Sequence, residues 1–154
     1  MSIIFQERES ESPYVQTVTH GYTASAGSTV RPAEAHWHMV IVKLEGETRL
    51  LAVGPWSSAG IASWGEGAEI VWIKFRLGTF MPHLPVNKLI NNETLLPGAA
   101  SNRFWLKGAA WQFPDHEDAE TFVNQLVRED ILASDPVVSA ALGDHLPEMP
   151  SRTV

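Results

Sequence analysis

The stretch that decides the fold reads Arg31-Pro-Ala-Glu-Ala-His-Trp-His-Met-Val-Ile-Val-Lys-Leu-Glu-Gly46. His36 and His38 stand two positions apart at the head of an apolar run. Since a β-strand alternates its faces with a period of two, both imidazoles would share one face with the valines at positions 40 and 42. Polar rings beside aliphatic side chains suit a ligand pocket inside a barrel. A plain strand with two partly exposed histidines, bonded to backbone or water, is the simpler interpretation of this run.

Composition and charge narrow the class of protein. The 154 residues, of which 44% are hydrophobic, suit one domain with a buried core, or one domain and a fragment of a second. The absence of cysteine excludes disulfides and thiolate metal sites. Binding to a nucleic-acid backbone needs a basic face on the protein, so a net charge of -7 argues against nucleic-acid binding by this chain alone. No apolar run approaches the roughly 20 residues of a membrane span, and the N-terminus resembles no secretory signal, so we expect a cytoplasmic protein without membrane contact.

Short strands separated by glycine turns recur along the first half of the chain. Alternating or apolar runs predict strands near residues 14–24, 36–44, 48–53, 57–64 and 69–77. We expect residues 1–13 to form a loosely held arm and residues 24–32 to form a turn or loop. This spacing of strands favours an antiparallel sandwich or barrel over a helical or doubly wound fold.

Helical patterns begin after residue 114. Residues 103–112 suit either a strand or a short helix. Acidic residues in the first turn and an apolar stripe at helical spacing predict a helix over 115–133, whose stripe packs either on the barrel or on a second copy of the chain. Asp135 and Pro136 are typical of the N-cap and first position of a second helix, which Gly143 would end.

Three stretches resemble AraC-type transcriptional regulators. The segment Val71-Trp-Ile-Lys-Phe-Arg-Leu-Gly-Thr-Phe-Met-Pro82 is similar to the strand, Phe-Arg-x-Gly and short helix found in one branch of their sensor domains. Asp135-Pro-Val-Val138 resembles the helix that leads into their DNA-binding domain. Met149-Pro-Ser-Arg-Thr-Val154 is similar to the start of a recognition helix in that domain.

The resemblance covers most of the chain and implies a domain plan. A mainly β, cupin-like antiparallel jelly-roll barrel would occupy residues 1–114 and bind a small-molecule effector. A helical region, 115–143, would join two copies into a homodimer through its helices up to residue 142. Residues 144–154 would be a linker and the start of a helix-turn-helix domain that is cut off here. Arg152 would open its recognition helix, and only the missing domain would bind DNA.

Aromatic and polar side chains on the predicted strands are the candidates for the effector pocket. Lys74 and Arg76 share a strand face with Trp72 and would hold an anionic effector against its ring. A solvated strand face is the simpler interpretation of the two cations, since lysine and arginine are seldom buried unpaired. The candidate ligand-binding residues are His36, His38, Trp56, Trp64, Trp72, Lys74 and Arg76.

The two histidines also resemble the His-x-His of metal-binding cupins, with Gly46 at the place of a later glycine. In that motif a glutamate follows the second histidine by four or five residues, where this chain has Val42 and Lys43. A metal set of His36, His38 and His83 would suit zinc, nickel or iron, and its functional alternative is a stand-alone cupin-type metalloenzyme. Hydrogen-bonded pocket histidines without metal are the other interpretation. The sequence contains no phosphate-binding glycine loop, nucleophile elbow or recognisable triad spacing.

Overall fold

A computed structural model describes residues 3–83, 91–99 and 102–135. In these ranges the chain is mainly β, its sheets are antiparallel, and its one helix is short. The strands are β1 (Ile3–Glu9), β2 (Val15–Thr23), β3 (Gly27–Arg31), β4 (His38–Leu44), β5 (Glu47–Val53), β6 (Gly60–Trp64), β7 (Glu69–Phe75), β8 (Thr79–Phe80), β9 (Glu93–Leu95), β10 (Gly98–Ala99), β11 (Arg103–Leu106), β12 (Ala109–Gln112) and β13 (Ala133–Ser134). The helix, α1, is Ala119–Arg128.

The largest sheet has six strands in the order β1-β2-β7-β4-β5-β9, and every neighbouring pair is antiparallel. The predicted alternation of β7 is confirmed, because Val71, Ile73 and Phe75 are buried on one face. Met39 and Ile41 of β4 lie in the same buried cluster. Period-two alternation thus gives the sheet one core face and leaves the opposite face available for a site.

Helix α1 and the hairpin β11–β12 complete the core. Phe104 of β11 packs against the rings of Phe113 and Phe122, with ring centroids 5.0 and 6.1 Å apart. The apolar stripe of α1, including Val123 and Leu126, is buried in the chain's own hydrophobic cluster. Of the two packing alternatives for this stripe, the structure therefore shows packing within the chain. The helix is shorter than predicted, and residues 103–112 form a hairpin rather than a helix.

Two stretches predicted to be irregular are strands. Strand β1 pairs with β2 along its whole length, from Ile3 opposite Thr23 to Glu9 opposite Thr17, so the predicted loose arm is wrong. Strand β3 lies inside the predicted loop and pairs with β6 to form a two-stranded ribbon. In both cases the strand is fixed by hydrogen bonds to a partner, which local residue preferences do not reveal.

The described strands form four separate sheets, and none of these sheets closes into a barrel. The largest sheet ends at β1 on one side and at β9 on the other. The predicted second helix lies almost wholly outside the described residues, as do the linker and Arg152. Within the described ranges, no helix has the length and apolar character needed to cross a membrane.

Arg8 connects β1 to helix α1. Its guanidinium donates to both carboxylate oxygens of Glu120, at 2.5 and 2.8 Å, and to the carbonyl oxygen of His116 at 2.6 Å. The hydrogen bond from Arg8 is the main cause that lowers the pKa of Glu120 from 4.5 to about 2. Because the folded pKa lies below the unfolded value, the pair stabilises the fold above pH 4.5, and this stabilisation is lost as the pH falls towards 2.

We expect Glu120→Gln to lower the free energy of unfolding by about 0.5 to 1 kcal/mol at pH 7, because solvent screens this partly exposed pair. At pH 3 the deficit should be smaller, since the wild-type pair has by then lost part of its contribution. Urea denaturation at both pH values measures the difference. Glu117→Gln, at an exposed carboxylate just before the helix, is the control and should show no such pH dependence. A deficit that is equal at both pH values would contradict this account of the pair.

Candidate ligand-binding site

A cavity of about 1300 Å³ lies between the six-stranded sheet and the β3–β6 ribbon. Its floor is the sheet face opposite the core, and its roof is the ribbon in which Gly27–Arg31 pairs with Gly60–Trp64. A cavity of this size holds a drug-sized molecule, because typical ligand pockets measure about 300 to 1,000 Å³.

The strand register arranges the floor in three cross-strand rows that are about 7 Å apart. The polar row consists of Lys74, His38, Val53 and Glu93, of which all but Lys74 line the cavity. The tryptophan row consists of Glu7, Thr19, Trp72, Val40 and Leu51. The aliphatic row, named after Ile70 and Val42, also contains Phe5 and Gly21. The floor therefore changes from polar to apolar along the strand direction of β4.

His38 is held in one tautomer by Trp72. The indole Nε1–H of Trp72 donates to Nδ1 of His38 at 2.7 Å. An indole can only donate, so Nδ1 must offer its lone pair, and the proton of the neutral imidazole lies on Nε2. Burial is the largest of the causes that lower the pKa of His38 from 6.5 to about 4, so the ring is neutral at pH 7. The side chain can thus donate one hydrogen bond from Nε2 at the polar end of the cavity.

His36 has the opposite tautomer and a different neighbour. It precedes β4, and its Nδ1 lies 2.7 Å from the carbonyl oxygen of Phe75, so Nδ1 carries the proton and donates. His36 does not line the cavity, whereas His38 does. The expectation that both imidazoles point from one regular strand face into a pocket is therefore met for His38 alone.

The carboxylate of Glu34 lies at the polar end of the cavity, close to both histidines and to Lys74. Its Oε2 lies 3.1 Å from Nζ of Lys74, with which it forms an ion pair, and 4.0 Å from Nε2 of His38. Its Oε1 lies 3.7 Å from Nε2 of His36. A backbone bridge with Trp56, formed by N–H to O bonds of 2.9 and 2.8 Å, fixes the position of this residue. The carboxylate thus lines the cavity next to a donor on His38.

The other predicted tryptophans line the roof side of the cavity. The guanidinium of Arg31 lies 3.7 Å from the ring centroid of Trp56, at cation–π distance. The indole Nε1–H of Trp64 donates to the carbonyl oxygen of Ser25 at 3.0 Å. With Trp72, which is 45% exposed on the floor, the structure brings all three predicted tryptophans to one cavity.

Lys74 and Arg76 do not form the anion-binding pair that the sequence suggested. Lys74 is bound by Glu34. Arg76 donates from Nε to the carbonyl oxygen of Ser12 at 2.8 Å and from a terminal nitrogen to that of Ser10 at 2.7 Å. Neither Lys74 nor Arg76 is among the residues that line the cavity.

The predicted metal set of His36, His38 and His83 does not meet as a ligand group. Over the described ranges, no cluster of three or more histidine, aspartate or glutamate side chains is arranged to hold a metal ion. His38 has no free lone pair while Trp72 binds its Nδ1. His83 lies outside the cavity wall, and burial is the main cause that lowers its pKa. No observation in the described residues favours the metalloenzyme.

Sequence reasoning missed Glu34, Arg31 and β3, which pairs with the predicted strand β6 to form the ribbon over the cavity. A signal for Glu34 was present, because Glu34, His36 and His38 recur with a period of two. The ribbon had weaker signals, since β3 contains a glycine, a serine and a threonine within five residues. Its role depends on pairing with β6, about thirty residues further along the chain.

Comparisons of this chain with protein-family models, with curated proteins and with solved structures give no match.

Proposed function

We propose that this chain is a ligand-sensing domain that binds a small, largely apolar molecule in the cavity between the sheet and the ribbon. The observation that carries the proposal is the 1300 Å³ cavity with its three tryptophans and its aliphatic row. Binding sites for small molecules combine apolar and aromatic walls with few oriented polar groups. Here the oriented groups are the Nε2–H of His38 and the carboxylate of Glu34.

The proposal extends to the architecture and to the biological role. A cupin-like arrangement of the strands and membership in an AraC-type transcriptional regulator agree with the resemblance of residues 71–82 to that family. The ligand would shift the balance between two arrangements of attached DNA-binding domains, by as much as its affinities for the two states differ. This role requires a reading frame that continues beyond Val154 into a basic helix-turn-helix domain. A frame that ends there would contradict the regulator while leaving the ligand site intact.

The proposed sensor would act as a homodimer. The apolar stripe of α1 is buried within the chain, so the partner would contact the outer side of α1 or the predicted helix at 136–142, which lies outside the described residues. Sedimentation velocity across a range of concentrations tests this part of the proposal. A single monomeric species at the highest concentration would contradict it.

Binding in the cavity is testable with Nile red, a neutral dye that fluoresces in apolar surroundings. We expect Trp72→Ala to weaken dye binding about tenfold, because it removes the aromatic wall at the centre of the floor. Trp105→Ala is a matched control, since Trp105 is 47% exposed, also lies on a strand, and does not line the cavity. Equal effects of the two substitutions, or no dye binding at all, would contradict the proposed site.

A further inference from the structure

We infer that the cavity selects organic cations that carry an aromatic or aliphatic body, an inference that rests on the proposed binding function. The cavity itself and its aromatic wall indicate that a ligand binds, and the charges around the wall specify its class. These charges fall into two groups, those at the polar end and those at the rim.

Among the described residues, three carboxylates and one guanidinium line the cavity, and the guanidinium is already engaged. The carboxylates belong to Glu7, Glu34 and Glu93. The guanidinium of Arg31 lies over the ring of Trp56 and approaches the carbonyl oxygen of Ser58 at 3.3 Å. An anionic ligand would therefore meet more carboxylates than free cations, and like charges at close range weaken binding.

Two of these carboxylates are free to receive a ligand. Within the described part of the chain, Glu7 and Glu93 have no ion-pair partner, and both are exposed at the rim of the floor. The register places Glu93 in the polar row and Glu7 in the tryptophan row. The two residues lie on the two edge strands, β9 and β1, of the same sheet face. A cation that enters from solvent would thus pass carboxylates at either edge of the floor.

Among the described residues near the polar end of the cavity, no unpaired positive charge competes with a cationic ligand. His38 is neutral at pH 7 because burial lowers its pKa to about 4. The ammonium of Lys74 is paired with Glu34 at 3.1 Å and does not line the cavity. Trp72 and Trp64 offer indole rings, which attract an organic cation through their π faces. The aliphatic row then accommodates the apolar body of the same molecule.

The test compares two ions of nearly equal size and shape but opposite charge. Isothermal titration calorimetry of the full chain measures the binding of tetraphenylphosphonium and of tetraphenylborate. We expect the phosphonium to bind at least about tenfold more tightly, and to lose affinity as the salt concentration rises. Nile red is titrated in parallel as the neutral probe of the cavity.

Variants locate the charges that produce the preference. We expect Glu7→Gln/Glu93→Gln to raise the Kd of the phosphonium about fivefold, because each partly exposed carboxylate contributes a modest attraction. Glu11→Gln/Glu129→Gln is the control, since it removes the same net charge at exposed positions outside the cavity. Its Kd should stay within about twofold of the wild-type value.

The possible outcomes separate this inference from the proposed function. Phosphonium selectivity that only the cavity variant reduces would support the inference. Equal or tighter binding of the borate, or equal effects of the two double variants, would overturn it, while Nile red binding would leave the ligand site standing. If neither the ions nor Nile red bind, both the inference and the proposed function fail.

Discussion

We expect the double substitution Val40→Trp/Leu51→Trp to weaken the binding of Nile red by close to a hundredfold. Val40 and Leu51 face each other across β4 and β5 in the middle of the cavity floor. Two indole rings at this point would remove roughly 100 Å² of apolar contact between the ligand and the cavity wall. The loss of this contact weakens the free energy of binding by about 2.5 kcal/mol. A fluorescence titration of the dye into each protein measures the change.

A second pair on the same two strands supplies the control for this substitution. Lys43 and Thr48 also face each other across β4 and β5, but neither side chain lines the cavity. The variant Lys43→Trp/Thr48→Trp should bind the dye with wild-type affinity and unfold at a similar temperature. If both double variants bind the dye as well as the wild type does, the dye does not occupy the cavity between the sheet and the ribbon.

The second large effect concerns His38 and the stability of the fold in mild acid. Burial holds the pKa of the folded imidazole at about 4, below the unfolded value of 6.5. Between pH 6.5 and pH 4 the imidazole is protonated in the unfolded chain but neutral in the folded chain. The free energy of unfolding therefore falls as the pH falls through this range. The separation of the two pKa values corresponds to about 3 kcal/mol of stability, present above pH 6.5 and lost by pH 4.

Urea denaturation of the wild type and of His38→Gln at several pH values measures this contribution. Carboxylates affect both proteins alike, so the difference between the two unfolding free energies isolates His38. We expect that difference to change by about 3 kcal/mol between pH 7 and pH 4 and to stay constant between pH 7 and pH 9. If the unfolding free energies of the two proteins follow parallel curves between pH 7 and pH 4, His38 is not held neutral in the folded protein.

The strands that the sequence predicted best are those that carry their own apolar pattern. The run from Ile70 to Phe75 is predictable because β-branched and aromatic residues follow one another over a length typical of a strand. The turn at Glu45 and Gly46 is predictable for a local reason as well. Both residues have positive φ, of 55° and 81°, as the type I′ turn of a two-residue hairpin requires.

The elements that the sequence did not predict depend on distant partners. Strand β1 contains Gln6, Glu7, Arg8 and Glu9, which suggest a solvated arm, yet its pairing with β2 makes it the edge of the sheet. Lys74, which was predicted to hold an anionic effector, is paired with Glu34, forty residues earlier in the chain. Local pattern places a side chain on a strand face, but only the assembled fold decides which charge meets it.

The candidate site was predicted in part. His38 and the three tryptophans line one cavity, as expected from their positions on or beside apolar strands. The tautomer of His38 was not predictable, because it depends on a hydrogen bond from Trp72 across the β4–β7 pairing. That hydrogen bond is also what leaves His38 without a lone pair for a metal ion.

The central claim is that a small molecule binds between the six-stranded sheet and the β3–β6 ribbon. The six tryptophans make this measurable in a ¹H–¹⁵N spectrum, in which each indole N–H gives one signal that a Trp→Phe variant assigns. On titration with tetraphenylphosphonium or Nile red, the account predicts shifts for Trp56, Trp64 and Trp72, which line the cavity. Shifts confined to Trp105 and Trp111, on the β11–β12 hairpin, would contradict it.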